Sequence, residues 1–90
     1  MKYKVLVVDD EFLIRMTLEG GLSDLGYQVN TAGSISEGLT RAEAFRPDVV
    51  LLDNRLGDET GLDHISDFKR LDEDVQVILM TAYGSVSQAV

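Results

Sequence analysis

Val49-Val50-Leu51-Leu52-Asp53 is apolar for four residues and then ends on a carboxylate. A short, unbroken, β-branched run of this kind reads as a strand buried on both faces, as in a parallel sheet, rather than a strand with one wet side. Immediately before it, Arg46-Pro47 closes a helix, because proline disfavours the helical region for the residue that precedes it. That helix carries Leu39, Ala42 and Phe45 and starts at Ser34-Ile35-Ser36-Glu37, the spacing of a capping box. After Asp53 a polar loop leads to Thr60 or Gly61, either of which can open a third helix that turns Leu62, Ile65, Phe68 and Leu71 inward. Val75-Gln76-Val77-Ile78-Leu79-Met80 is then a second buried strand, ending at Thr81. Near the start of the chain Lys4-Val5-Leu6-Val7-Val8 repeats the theme and stops at Asp9-Asp10-Glu11. Ile14, Leu18, Leu22 and Leu25 follow as one helical stripe that Gly26 can close, and Tyr27 to Ala32 is a weaker strand. From Ser85 onward the pattern is that of the first turn of a further helix.

Strands alternating with helices make βαβ units, so the fold class is α/β with right-handed crossovers and parallel strands. All strands of such a sheet point their C-terminal ends to one edge, where ligands bind at the switch point of strand order. Asp9, Asp10, Asp53 and Thr81 are therefore expected in one pocket although they are far apart in sequence. Three carboxylates gathered there repel one another and call for a counter-charge. Oxygen-only ligands favour a hard cation, Mg²⁺ above all, since it retains waters and leaves room for a phosphoryl group. A carboxylate beside such an ion can act as a nucleophile and become an aspartyl phosphate.

Composition narrows the alternatives. The 90 residues carry sixteen acidic and eight basic side chains, a formal charge of -8, and no cysteine. One small acidic domain results, in which disulfide frameworks, thiolate nucleophiles and Cys-based zinc sites are excluded. Direct nucleic-acid binding is not expected, because the basic residues are scattered instead of forming a patch. No signal-peptide core or membrane-length apolar run is present, and a cytoplasmic location is the expectation. Nucleotide-binding loops of the GxGxxG or Walker kind are absent.

The ordered set Val-Leu-Val-Val-Asp9-Asp10-Glu11, Val-Val-Leu-Leu-Asp53 and Val-Ile-Leu-Met-Thr81-Ala82 resembles the receiver domain of two-component response regulators, over all 90 residues. Met80-Thr81-Ala82-Tyr83-Gly84-Ser85-Val86 further resembles receivers attached to sigma-N enhancer-binding activators. The resemblance implies a flavodoxin-like doubly wound sheet of order 2-1-3-4-5. It also implies that Asp53 accepts a phosphoryl group from a sensor histidine kinase, and that Mg²⁺ is held by Asp9, Asp10, Asp53 and the backbone carbonyl of Arg55. Asp10 would contact the ion directly and Asp9 through water. Thr81 would sense the attached phosphoryl group and so switch an output domain, transcriptional and of DNA-binding or AAA+ type. On this reading the chain is a signalling phosphoacceptor and not an enzyme.

Two departures from the family stand out. Leu56-Gly57 replaces the usual Met-Pro after the acceptor, and no lysine follows Lys69, whereas a receiver bears one on a fifth strand. The expectation is that residues 1–90 form the N-terminal part of a receiver, with four of its five strands, lacking its last helix and fifth strand. An exposed fourth-strand edge would then favour a homodimer or strand-exchanged dimer. Two rival functions remain: a degenerate receiver that only dimerises, and a Mg²⁺-dependent phosphohydrolase of the haloacid-dehalogenase kind with Asp9 as nucleophile. Asp10 and Glu11 have the alternative of capping the first helix. His64, Asp58, Glu59 and Asp72-Glu73-Asp74 read as solvated, Met16 and Met80 as core, and Tyr83 as either a gate or a partner contact.

Overall fold

The computed structural model describes residues 2–80 and, as backbone, 86–89. Its elements run β1 (Lys4–Val8), α1 (Phe12–Asp24), β2 (Gln28–Ala32), α2 (Ile35–Phe45), β3 (Val49–Asp53), β4 (Arg55–Leu56), β5 (Glu59–Thr60), a 3₁₀ turn (Gly61–His64), α3 (Ile65–Leu71), β6 (Gln76–Met80) and β7 (Val86–Ala89). The main sheet has the order β2-β1-β3-β6-β7. Its first four strands are parallel, and β7 pairs antiparallel to β6.

The apolar runs occupy the middle of this sheet, as their composition demands. Leu6, Val7 and Val8 of β1, Val50 and Leu52 of β3, and Val77 of β6 are fully buried. Phe68 of α3 and Ile35 and Ala42 of α2 pack into one cluster with Leu6, Val8, Val50, Leu52 and Val77, on the face of the sheet opposite to Val7. Gly38 lets α2 lie close over β1, since a Cβ there would sit 3.0 Å from a Val8 methyl. Residue pairing aligns Val8 with Ala32 and Leu52, and Asp53 with Met80, so the strand ends lie level at one edge.

Caps set the helix limits. Gly26 takes φ +97° and donates to Ser23 while Tyr27 donates to Leu22, a Schellman ending for α1. At the start of α2 the Ser34 hydroxyl accepts the Glu37 N–H at 3.1 Å. The Glu37 carboxylate reaches back to the Gly33 N–H, one residue earlier than a strict capping box, at 2.6 Å. That backbone donor chiefly holds the Glu37 carboxyl below its ordinary range. Arg46 ends α2 in the left-handed region, φ 54°, and its guanidinium donates to the Leu71 carbonyl at 2.8 Å.

Several expectations are corrected. The stripe of α1 is only partly covered: Ile14 and Leu25 are exposed, Leu18 and Leu22 half-buried, because α1 meets the sheet along one flank. Met16 is likewise exposed and not core. The third helix opens as a 3₁₀ turn in which the backbone of Gly61 and Leu62 is anchored to Asn54, leaving the Leu62 side chain 57% exposed. Residues Val86–Ala89 form a strand where a helical turn was expected. This strand pairs with Ile78 and Met80 of β6, with an irregularity between them, so part of the edge that was expected to be bare has a partner within the chain.

Candidate functional site

Asp9 and Asp10 leave the end of β1, and Asp53 is the last residue of β3, the neighbouring strand. One carboxylate oxygen from each of the three can be chosen so that all lie within 4.8 Å of one another. They stand at the mouth of a cleft of about 740 Å³ whose walls include Thr17, Arg55, Gly57 and Met80. The parallel order, with β1 between β2 and β3, places this cleft where the strand order reverses.

Each acid is held differently. Asp9 is only 5% exposed; its Oδ1 accepts the Glu11 N–H at 2.9 Å, and its carbonyl accepts from the Arg15 guanidinium at 2.7 Å. The Asp10 carboxylate is exposed and accepts the Gly57 N–H at 3.2 Å. Asp53 is half-buried, and its Oδ1 accepts the Arg55 N–H at 3.1 Å. Neither Asp10 nor Glu11 caps α1: Glu11 occupies the cap position without a side-chain bond, and Asp10 turns toward the loop after Asp53. The capping alternative therefore does not account for these acids.

Burial pushes the carboxyls of both Asp9 and Asp53 above the ordinary aspartate range, the backbone donors only partly offset this, and the neighbouring negative charges raise them further. Without a counter-ion the two carboxyls repel each other and hold protons more tightly than an isolated aspartate does. Three hard oxygens, like-charge repulsion and an open cleft fit a divalent cation that keeps part of its water shell. The sole histidine, His64, is engaged elsewhere, with Glu59 and Asp67.

The family described as "Response regulator receiver domain" matches residues 5–90. The chain is a response regulator receiver domain. It is 37% identical over 86 residues to sporulation initiation phosphotransferase F of Bacillus subtilis (strain 168), covering 96% of this chain and 69% of that protein. A response regulator from Burkholderia pseudomallei, solved with a phosphorylated aspartic acid, calcium ion and citrate, superposes with a TM-score of 0.86 at 32% identity, covering 93% of this receiver and 49% of that chain. TrrA from Thermotoga maritima, solved in complex with Mg²⁺-BeF, gives 0.82 at 36% identity, covering 92% and 71%. Other curated relatives are much longer, the receiver spanning 35% to 44% of four of them. Some of those carry the name of transcriptional regulator.

The receiver thus brings together Asp9, Asp10 and Asp53, with Arg55 at the cleft wall. Thr81 and Tyr83 lie outside the described residues. Nothing favours the dimerisation-only or phosphohydrolase alternatives. Met80 is half-buried and forms part of the cleft wall, so it is not simply core. His64 is not simply solvated: its ring lies between two carboxylates with its side chain 25% exposed. Among the described residues no helix is long and apolar enough to cross a membrane.

Two glycines that the sequence singles out, Gly57 as a departure from the family and Gly61 as a helix opener, have roles at the site that the sequence reading did not foresee. Gly57 adopts φ +64° at the tip of the β4–β5 hairpin and donates to Asp10, a bond that the family's proline, lacking an N–H, cannot make. Gly61 lies so close to the Asp53 carbonyl that any Cβ would collide with it, and would also come within 2.9 Å of the Leu52 side chain. A glycine at a loop-to-helix junction was the available signal, but it was equally consistent with simple helix opening.

Proposed function

We propose that Asp53 is the phosphoryl acceptor of this receiver and that Mg²⁺ is its resident cation, held by the carboxylates of Asp9, Asp10 and Asp53 with the Arg55 carbonyl. The observation that carries the reading is the convergence of the three carboxylates at the carboxyl edge of two adjacent central strands. When bound, Mg²⁺ offsets the carboxylate repulsion and the charge on the oxygens of the transferring phosphoryl group. The Arg55 N–H orients Asp53 through Oδ1, leaving its other oxygen to attack phosphorus. The P–N bond of a phosphohistidine donor breaks as the new O–P bond forms, and the imidazole leaves with the bonding pair and takes up a proton. Arg15 fixes the Asp9 backbone throughout, which keeps that carboxylate aimed at the cleft.

In the same reading Asp10 contacts the cation directly and Asp9 through water, and Thr81 supplies the hydroxyl that senses the phosphoryl group. The donor is a sensor histidine kinase in the cytoplasm, and the recipient of the signal is an output domain, transcriptional and of DNA-binding or AAA+ type. The receiver is then a signalling switch rather than a turnover enzyme, with dimerisation a further route by which a phosphorylated surface can act. Intact-mass measurement after treatment with acetyl phosphate and Mg²⁺ should show the gain of one phosphoryl group, lost with EDTA and in Asp53→Asn. Modification that persists in Asp53→Asn would refute the assignment.

A further inference from the structure

His64 offers both ring nitrogens to carboxylates: Nε2 lies 3.0 Å from Glu59 of β5, and Nδ1 lies 2.9 Å from Asp67 of α3. Ionised carboxylates only accept, so the ring serves both at once only as the imidazolium; the neutral ring has one donor. The surrounding charges are Glu59 from β5, Asp67 and Arg70 from α3, and Asp63 on the turn itself. Asp63 is already engaged by the Thr60 hydroxyl, and Arg70 lies 3.5 Å from Asp67.

Glu59 pairs with Leu56 across the β4–β5 hairpin, and the tip of that hairpin presents the Gly57 N–H to Asp10. The hairpin therefore has one end on α3, through His64, and the other on an acid of the cleft. We infer that His64 is a positioning residue: by strapping Glu59 to Asp67 it fixes the β4–β5 hairpin and so holds Asp10, through Gly57, in the orientation that receives the cation. The inference rests on the proposed role of Asp10 in cation binding. Nothing in this route requires His64 to touch the cation or the phosphoryl group.

The test measures Mg²⁺ affinity calorimetrically for the parent chain, His64→Gln, Glu59→Gln and the double variant. Each single variant is expected to bind about threefold more weakly, the order for a partly exposed charged contact, and the double variant no more weakly than either. Unchanged affinity in the single variants or additive losses would each overturn the inference. Amide hydrogen exchange at Gly57, followed without metal, is expected to quicken in His64→Gln, and unchanged exchange there also counts against the strap. Failure of the cation reading itself would appear separately, as parent binding of Mg²⁺ that Asp10→Ala does not reduce.

Discussion

Replacing Gly61 with alanine probes the packing behind the acidic cleft with a single methyl group. The added carbon would collide with the Asp53 carbonyl oxygen, sit 2.9 Å from the Leu52 side chain and 3.2 Å from the Asp53 carbonyl carbon. Two of these neighbours are backbone of β3, a central strand, so relief requires moving either that strand or the 3₁₀ turn. Overpacking of this kind costs about 1–3 kcal/mol, and the backbone obstacle places Gly61→Ala at the upper end, about 2–3 kcal/mol. A domain of this length has roughly 5–13 kcal/mol of stability in all. The Tm should accordingly fall by roughly 8–20 °C in a thermal melt followed by circular dichroism. Gly20→Ala is the matched control: it lies in α1 with nothing within 4 Å of its would-be Cβ, and should stabilise by about 0.5–1 kcal/mol. Because the displaced group in Gly61→Ala is the peptide of Asp53, Mg²⁺ affinity should drop as well. A Gly61→Ala melt within about 2 °C of the parent, with unchanged Mg²⁺ affinity, would refute the claim that this contact fixes Asp53.

Asp53→Asn relieves the mutual repulsion with Asp9 and should raise metal-free stability by about 0.5–1 kcal/mol, read as a higher urea midpoint in EDTA. The carboxyls of Asp9 and Asp53 are raised on folding, so their contribution is present in full below the unfolded aspartate value and lost as pH rises through the folded one. In EDTA, acidifying from neutral pH toward the carboxylate range should first raise the contribution of this pair, while the affinity for Mg²⁺ falls because protons compete for the same oxygens; Asp9→Asn should blunt both trends. Glu37 runs the opposite way, its lowered carboxyl contributing above the unfolded value and losing that contribution as pH falls through the folded one, which a Glu37→Gln comparison of acid unfolding checks. Ser34→Ala removes the hydroxyl that accepts the Glu37 N–H and should cost about 1 kcal/mol in urea unfolding.

The central strands were legible because their residues leave little choice. Val49–Asp53 is a strand with the limits its composition suggests, since four apolar residues after a proline have to be buried and the aspartate has to surface. The meeting of Asp9, Asp10 and Asp53 followed from topology alone, as parallel strands deliver their ends to one edge. The β4–β5 hairpin was not legible: Arg55-Leu56 and Glu59-Thr60 have no β-branched run, and the pairing depends on a left-handed glycine. The tight approach of Gly61 and the double engagement of His64 are relations between backbone and side chains from different elements, which neither periodicity nor composition encodes. Leu62 shows the same limit, because its helical spacing pointed inward while the anchoring of its N–H to Asn54 left its side chain outside.

The opposite edge of the sheet has a mechanical meaning of its own. There Asp48 exchanges bonds with the backbone of Lys4 and Gln76, joining the starts of β1, β3 and β6, and Arg46 ties the end of α2 to the end of α3. That end of the molecule is a clamped base, braced on three strands and on the last turns of two helices. Charge added at the acidic edge therefore meets a hydrophobic layer already pinned at its far end.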